Sequence, residues 1–205
     1  MIGLLLVLAG MAQAAEPPRL GLVVASEAIQ GAYKKAAEAK GSRGPAAQLD
    51  CRPAFDEVLF CLTELQADGW RYATAADLQA WGKTSEELHR VAVERMRALP
   101  LKSRLSSQRV QGVQGQMWLS NINDGQDAAL LLSPAAIQEV LGGEAVVAVP
   151  TQGVAVMWKP GEPMMDKVAA VGARKLFEDA GHPISPKIFI WGEEGWEVWA
   201  EVVKP

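Results

Sequence analysis

Apolar positions along this chain follow two rhythms. One repeats every three to four residues and marks helices; the other runs in short alternating or continuous stretches and marks strands. From Ser26 to Lys40 the residues are strong helix formers, with Ala28, Ile29, Ala32 and Ala36 on the inner face and Gly41 as a stop. Residues 41–53 read as loop. Two apolar runs, Phe55 to Leu65 and Trp70 to Thr74, flank Ala67-Asp68-Gly69 and predict a hairpin. A short helical turn over Asp77 to Trp81 precedes the clearest helix start, where Thr84 and Glu87 have capping-box spacing. Leu88, Val91, Ala92, Met96 and Leu99 then share a face, Pro100 ends the helix, and His89 falls with Glu86, Arg90 and Arg97 on the face expected to be solvated. Gln116 to Asn121 reads as a strand, and Asp127 to Leu141 as helix in two parts divided at Ser133-Pro134. Glu144 to Val149 and Val154 to Lys159 form a second hairpin. A helix follows over Pro163 to Ala180, with Met165, Val168, Ala169, Gly172 and Leu176 inward. Lys187 to Trp191 and Trp196 to Val203 form a third hairpin. Hairpins interspersed with helices do not give the regular alternation of a parallel sheet. The expected class is α+β, a largely antiparallel sheet built from hairpins with helices packed on one side.

Composition narrows the function classes. At 49% hydrophobic and 21% charged, the 205 residues have ordinary globular balance. Twenty basic against 24 acidic side chains give a net charge of -4, which speaks against nucleic acid as a partner. Residues 1–109 carry 14 basic and 12 acidic side chains, and residues 110–205 carry 6 and 12, so the second half holds the excess negative charge. Two histidines and two cysteines leave few ligands, and neither a metal nor another cofactor is expected. Residues 1–14 read as a signal peptide: an apolar run from Ile2 to Ala12 leads into Ala12-Gln13-Ala14, with small residues at the cleavage positions. The run is shorter than the roughly 20 residues that cross a bilayer. The expectation is an exported protein, periplasmic or extracellular, with residues 15–205 as a single domain and no integral membrane segment after cleavage. In that compartment Cys51 and Cys61, the only two cysteines, are expected to form a disulfide.

Asp68 to Ala98, then Asn121 to Ala129, Val147-Ala148-Val149-Pro150 and Gly181-His182-Pro183-Ile184, occur in an order that resembles the uncharacterised bacterial YtpQ-like family. The resemblance runs from about Phe55 to Trp191 and implies a shared α+β unit, with no reaction and no cofactor attached. Where that family continues its Asn-Asp-Gly turn with an aromatic and then Asp-Ala-Ser-Arg, this chain has Gln126 and Asp127-Ala128-Ala129-Leu130.

Asn121, Asn123, Asp124 and Asp127 form the densest group of oxygen donors. They do not meet the calcium-loop register, and a turn that starts a helix explains them better. Asn123, Asp124, Gly125 and Asp127 are therefore carried as ligand-contact candidates, not as a metal site. His182 sits after a helix stop; with Asp124 or Asp127 it forms the catalytic candidate for a small hydrolase, and no Gly-x-Ser-x-Gly elbow accompanies it. Five basic residues and no acid lie from Arg95 to Arg109, which reads as a solvated loop in preference to an anion or membrane contact. Trp191, Trp196 and Trp199 read as core or sheet-edge packing before a binding face. The reading favours a non-catalytic exported domain that binds a protein or cell-envelope ligand over an enzyme.

Overall fold

A computed structural model describes residues 18–126 and 129–201. The signal-peptide expectation for residues 1–14 and the candidate Asp127 lie outside these residues. The fold is α+β, and every strand pairing is antiparallel, but the strands divide into two sheets where the sequence suggested one.

The first sheet contains β1 (Leu20–Ala25), β2 (Cys51–Phe55), β3 (Val58–Gln66) and β4 (Gly69–Tyr72). β3 is its spine: β1 pairs along one side, while β2 and β4 share the other side end to end. β2 falls where the sequence reading had loop up to residue 53 and a strand from Phe55. Its Pro53 lacks an amide donor, and the register shifts between Pro53 and Phe55 before the chain reverses through Asp56, at φ 45°. Cys51 stands directly opposite Cys61, with the sulfurs at disulfide-bonding distance.

The second sheet runs in the order β10-β9-β7-β8-β6-β5. It contains β5 (Ser106–Gln108), β6 (Met117–Ser120), β7 (Val146–Thr151), β8 (Val154–Trp158), β9 (Lys187–Trp191) and β10 (Trp196–Glu201). The three hairpins anticipated from the sequence are all present. Alternation in β7 divides the core in two: Val147 and Val149 pack toward the first sheet, and Val146 and Ala148 pack toward a helix on the other face.

That helix is α5 (Pro163–Glu178). Its buried stripe is Met165, Ala169 and Ala173, whereas Gly172 and Leu176 are exposed, so the inner face is rotated from the expected one. The rotation follows from Trp158: it is fully buried, and its indole N–H donates to Asp166 Oδ1 at 2.8 Å, which fixes the first turn. In α1 (Glu27–Ala39) the contact face is Ile29, Tyr33 and Ala37, and Ala28, Ala32 and Ala36 are exposed. Tyr33 sets that orientation through an edge contact with Tyr72, at 5.9 Å between ring centres.

Both short helices α2 (Ala75–Trp81) and α3 (Ser85–Arg97) begin with complete capping boxes, Thr74 with Asp77 and Thr84 with Glu87. α3 packs on β1 through Leu88, Ala92 and Met96, whereas Val91 is exposed. α4 (Pro134–Leu141) starts at the expected proline and stops at Gly142, in the left-handed conformation. Bonds across great sequence distance join the two sheets. Ser26 Oγ donates to the Pro183 carbonyl at 3.0 Å, Ser185 Oγ to Glu57 at 2.5 Å, and the Gln152 side-chain amide Nε2 to the Tyr72 hydroxyl.

Candidate functional site

After β6 the chain must cross from the second sheet to the first. Asn123 (φ 50°) and Gly125 (φ 74°) supply left-handed conformations for that crossing. The backbone is then held by side chains of the first sheet: Trp70 Nε1 donates to the Asn123 carbonyl at 3.2 Å, and Thr63 Oγ1 to that of Gly125 at 3.1 Å. Asp124 receives both terminal nitrogens of Arg104, at 2.9 and 2.7 Å, and two further bonds from the backbone and side-chain amides of Gln126. Burial pushes this carboxyl's pKa up, but the Arg104 bonds and charge, with the Gln126 bonds, outweigh it and hold it below the ordinary carboxylate value. Asn123, Asp124 and Gly125 thus come together as a lock between sheets.

His182 is held at the β7–β8 turn through its backbone. Its carbonyl accepts from the Gln152 backbone N–H at 3.1 Å and from Thr151 Oγ1 at 3.2 Å. The imidazole is exposed and makes no hydrogen bond or ion pair among the described residues, and the Asp124 oxygens are already occupied. The structure therefore does not assemble a His182–Asp124 pair. Among the described residues no group of three or more His, Cys, Asp or Glu converges to hold a metal.

His89 departs from the sequence reading. It is buried, 6% exposed, with Nε2 at 3.0 Å from Asp50 Oδ2, an ion-pair distance without hydrogen-bond geometry. Ser85 Oγ donates to the same oxygen at 3.1 Å and accepts from Arg52 Nε at 3.2 Å. Burial would raise the Asp50 pKa, but His89 and Ser85 lower it further, so the net shift is downward. Serine and imidazole both address the carboxylate instead of each other, so this is not a nucleophile and base in relay; it ties α3 to the start of β2. The signal for it was a helical stripe, Ser85, Leu88, His89, Ala92 and Met96, hidden by counting only apolar residues.

The grooves differ in charge. A 640 Å³ groove between α1 and the turn at Gly44–Ala47 sets Lys34 against Glu27 and Glu38. A second, of 550 Å³, lies where β6 begins and β8 ends; Arg109, Gln114, Gln116, Trp118 and Lys159 line it, with no acid. It continues past Gln114–Gln116 and Lys159 into a 340 Å³ lobe beside the start of α5, where the Glu162 carboxylate is engaged in capping the Met165 amide. Arg109 is exposed and has no ion pair among the described residues. Among the described residues Lys159 donates only to the Gly142 carbonyl, at 3.4 Å.

No family model, curated protein or solved structure matches the chain.

The chemistry must then be read from the trough itself. Arg109 offers a planar fork of donors suited to carboxylate or phosphate, Lys159 a point charge, and the two glutamines neutral donors and acceptors. The half-buried Trp118 adds an apolar wall. Of the five basic residues from Arg95 to Arg109, Arg95 and Arg97 lie in the last turn of α3, Arg104 belongs to the lock and Lys102 pairs with Glu139; Arg109 alone of the five lines this groove.

Proposed function

We propose that the chain is an exported, non-catalytic domain that binds an anionic cell-envelope saccharide in the trough between Arg109 and Lys159. The observation that carries this reading is two cations on one groove with no lining acid between them, in a chain whose net charge is -4. Their field favours carboxylate or phosphate, the glutamine amides suit sugar hydroxyls, and the volume lies within the few hundred to roughly 1,000 Å³ of small-ligand sites. Export rests on the short apolar leader ending Ala12-Gln13-Ala14, and the Cys51–Cys61 pair is compatible with it. Kinship with the YtpQ-like family belongs to the same proposal and adds no reaction.

Calorimetric titration of residues 15–205 with trigalacturonate, maltotriose and inorganic phosphate tests the site. Trigalacturonate should bind, more weakly as salt rises, and be recovered intact; maltotriose should not bind. The double variant Arg109→Gln, Lys159→Gln should lose at least about tenfold in affinity, or roughly 1.4 kcal/mol, with an unchanged melting temperature. Equal affinity in that variant, absence of binding, or cleavage of the saccharide abolished by His182→Ala overturns the proposal. Intact mass of the protein recovered from outside the cytoplasm should begin at Ala15.

A further inference from the structure

The two ends of the six-stranded sheet are finished differently. β5, at one end, is three exposed polar residues, Ser106, Ser107 and Gln108, the kind of short edge that discourages pairing. β10, at the other, runs for six residues, and among the described residues it pairs only with β9. Trp199 and Val198 on β10 and Trp191 on β9 are 38, 44 and 39% exposed. The hairpin that presents them is firmly seated. Trp196 Nε1 donates to the Leu131 carbonyl at 2.8 Å, and its ring lies 5.9 Å from Phe55 and 5.4 Å from Trp191. A register shift between Val198 and Ala200 re-aims Trp199, which meets the buried Trp158 edge-on at 6.5 Å.

Charge identifies the occupant. Residues 192–201 contain four glutamates and neither Lys nor Arg. Glu193, Glu194 and Glu197 are exposed, and none forms an ion pair among the described residues. Two such edges brought together in a dimer would repel, whereas a lysine-bearing strand would neutralise the glutamates as it added to the ladder.

We infer that β10 is a docking edge for a basic, extended segment of a partner protein, which pairs with the strand backbone and covers Val198 and Trp199 while its cations meet Glu193, Glu194 and Glu197. This surface is independent of the trough. The probe is a capped heptapeptide of alternating lysine and valine, titrated calorimetrically into residues 15–205 at low and high salt. Its comparators are a glutamate–valine peptide and a lysine–proline peptide that keeps the charge but cannot join a ladder. The lysine–valine peptide should bind at least about tenfold more tightly than either comparator. The triple variant Glu193→Gln, Glu194→Gln, Glu197→Gln should weaken it by a similar factor with an unchanged melting temperature. Arg109→Gln, Lys159→Gln should bind the peptide as the parent does, which separates this test from that of the trough. Equal binding of the lysine–proline peptide, full affinity in the triple variant, no binding, or a self-dimer by sedimentation that the peptide does not dissociate would overturn the inference.

Discussion

Replacing Gly125 by alanine attacks the lock between the sheets in two separable ways. The residue sits at φ 74°, where a side chain costs about 1 to 2 kcal/mol. Its new Cβ would also lie 2.5 Å from Trp70 Cγ and 2.7 Å from Trp70 Cβ. These are the atoms of Trp70 nearest its own backbone, so rotation of the ring does not clear them. Overpacking of this kind costs about 1 to 3 kcal/mol. Together the terms give about 2 to 5 kcal/mol, or roughly 5 to 15 °C in melting temperature for a chain of this length. Calorimetry on the parent, Gly125→Ala, Trp70→Ala and the double variant completes a cycle. In the Trp70→Ala background the glycine substitution should cost only the backbone term. A cost below about 1 kcal/mol in the parent, or the same cost in both backgrounds, would refute the packing argument.

Arg104→Leu should destabilise by about 1 to 3 kcal/mol near neutral pH, less than a fully buried pair because Asp124 is about a third exposed. Since the Asp124 pKa is lowered on folding, the stability it contributes is present above the unfolded value near ~4 and is lost as pH falls through the folded one. The gap between parent and variant melting temperatures should therefore narrow on acidification below about pH 4. Reducing Cys51–Cys61, which closes a separation of 10 residues, should cost about 2 to 3 kcal/mol in denaturant titration. Trp158→Phe, which removes the donor to Asp166 and part of a buried ring, should cost about 2 to 4 kcal/mol and expose α5 amides to hydrogen exchange.

The elements most legible in the sequence were those fixed by local chemistry. Thr84 with Glu87, Pro134, and the Gly-bearing turns of the three hairpins act within a few residues, and the structure places them where the pattern does. What eluded the pattern depends on distant neighbours. β2 is a strand because β3 offers an edge to Cys51–Phe55, despite Pro53. His89 is inside because Asp50 is there to receive it. The inner face of α5 is chosen by Trp158, and that of α1 by Tyr72. Asn123 and Gly125 form a turn, as the Asn-Asp-Gly run suggests, but its anchors, Arg104, Thr63 and Trp70, lie 20 to 62 residues away. The trough pairs Arg109 with Lys159 across a gap that no local motif spans.

The bonds that join the sheets also bear on the order in which the chain becomes native. Ser26 waits for Pro183, Glu57 for Ser185, and Tyr72 for Gln152, separations of 157, 128 and 80 residues. On a ribosome making the protein from its N-terminus, the first sheet gains its last partners only when nearly all the chain has emerged. Closing such long loops is slow, because their entropy is lost before distant contacts return anything. The first sheet can pair its own strands early, but these three anchors of the early half are completed only after the late half has been made.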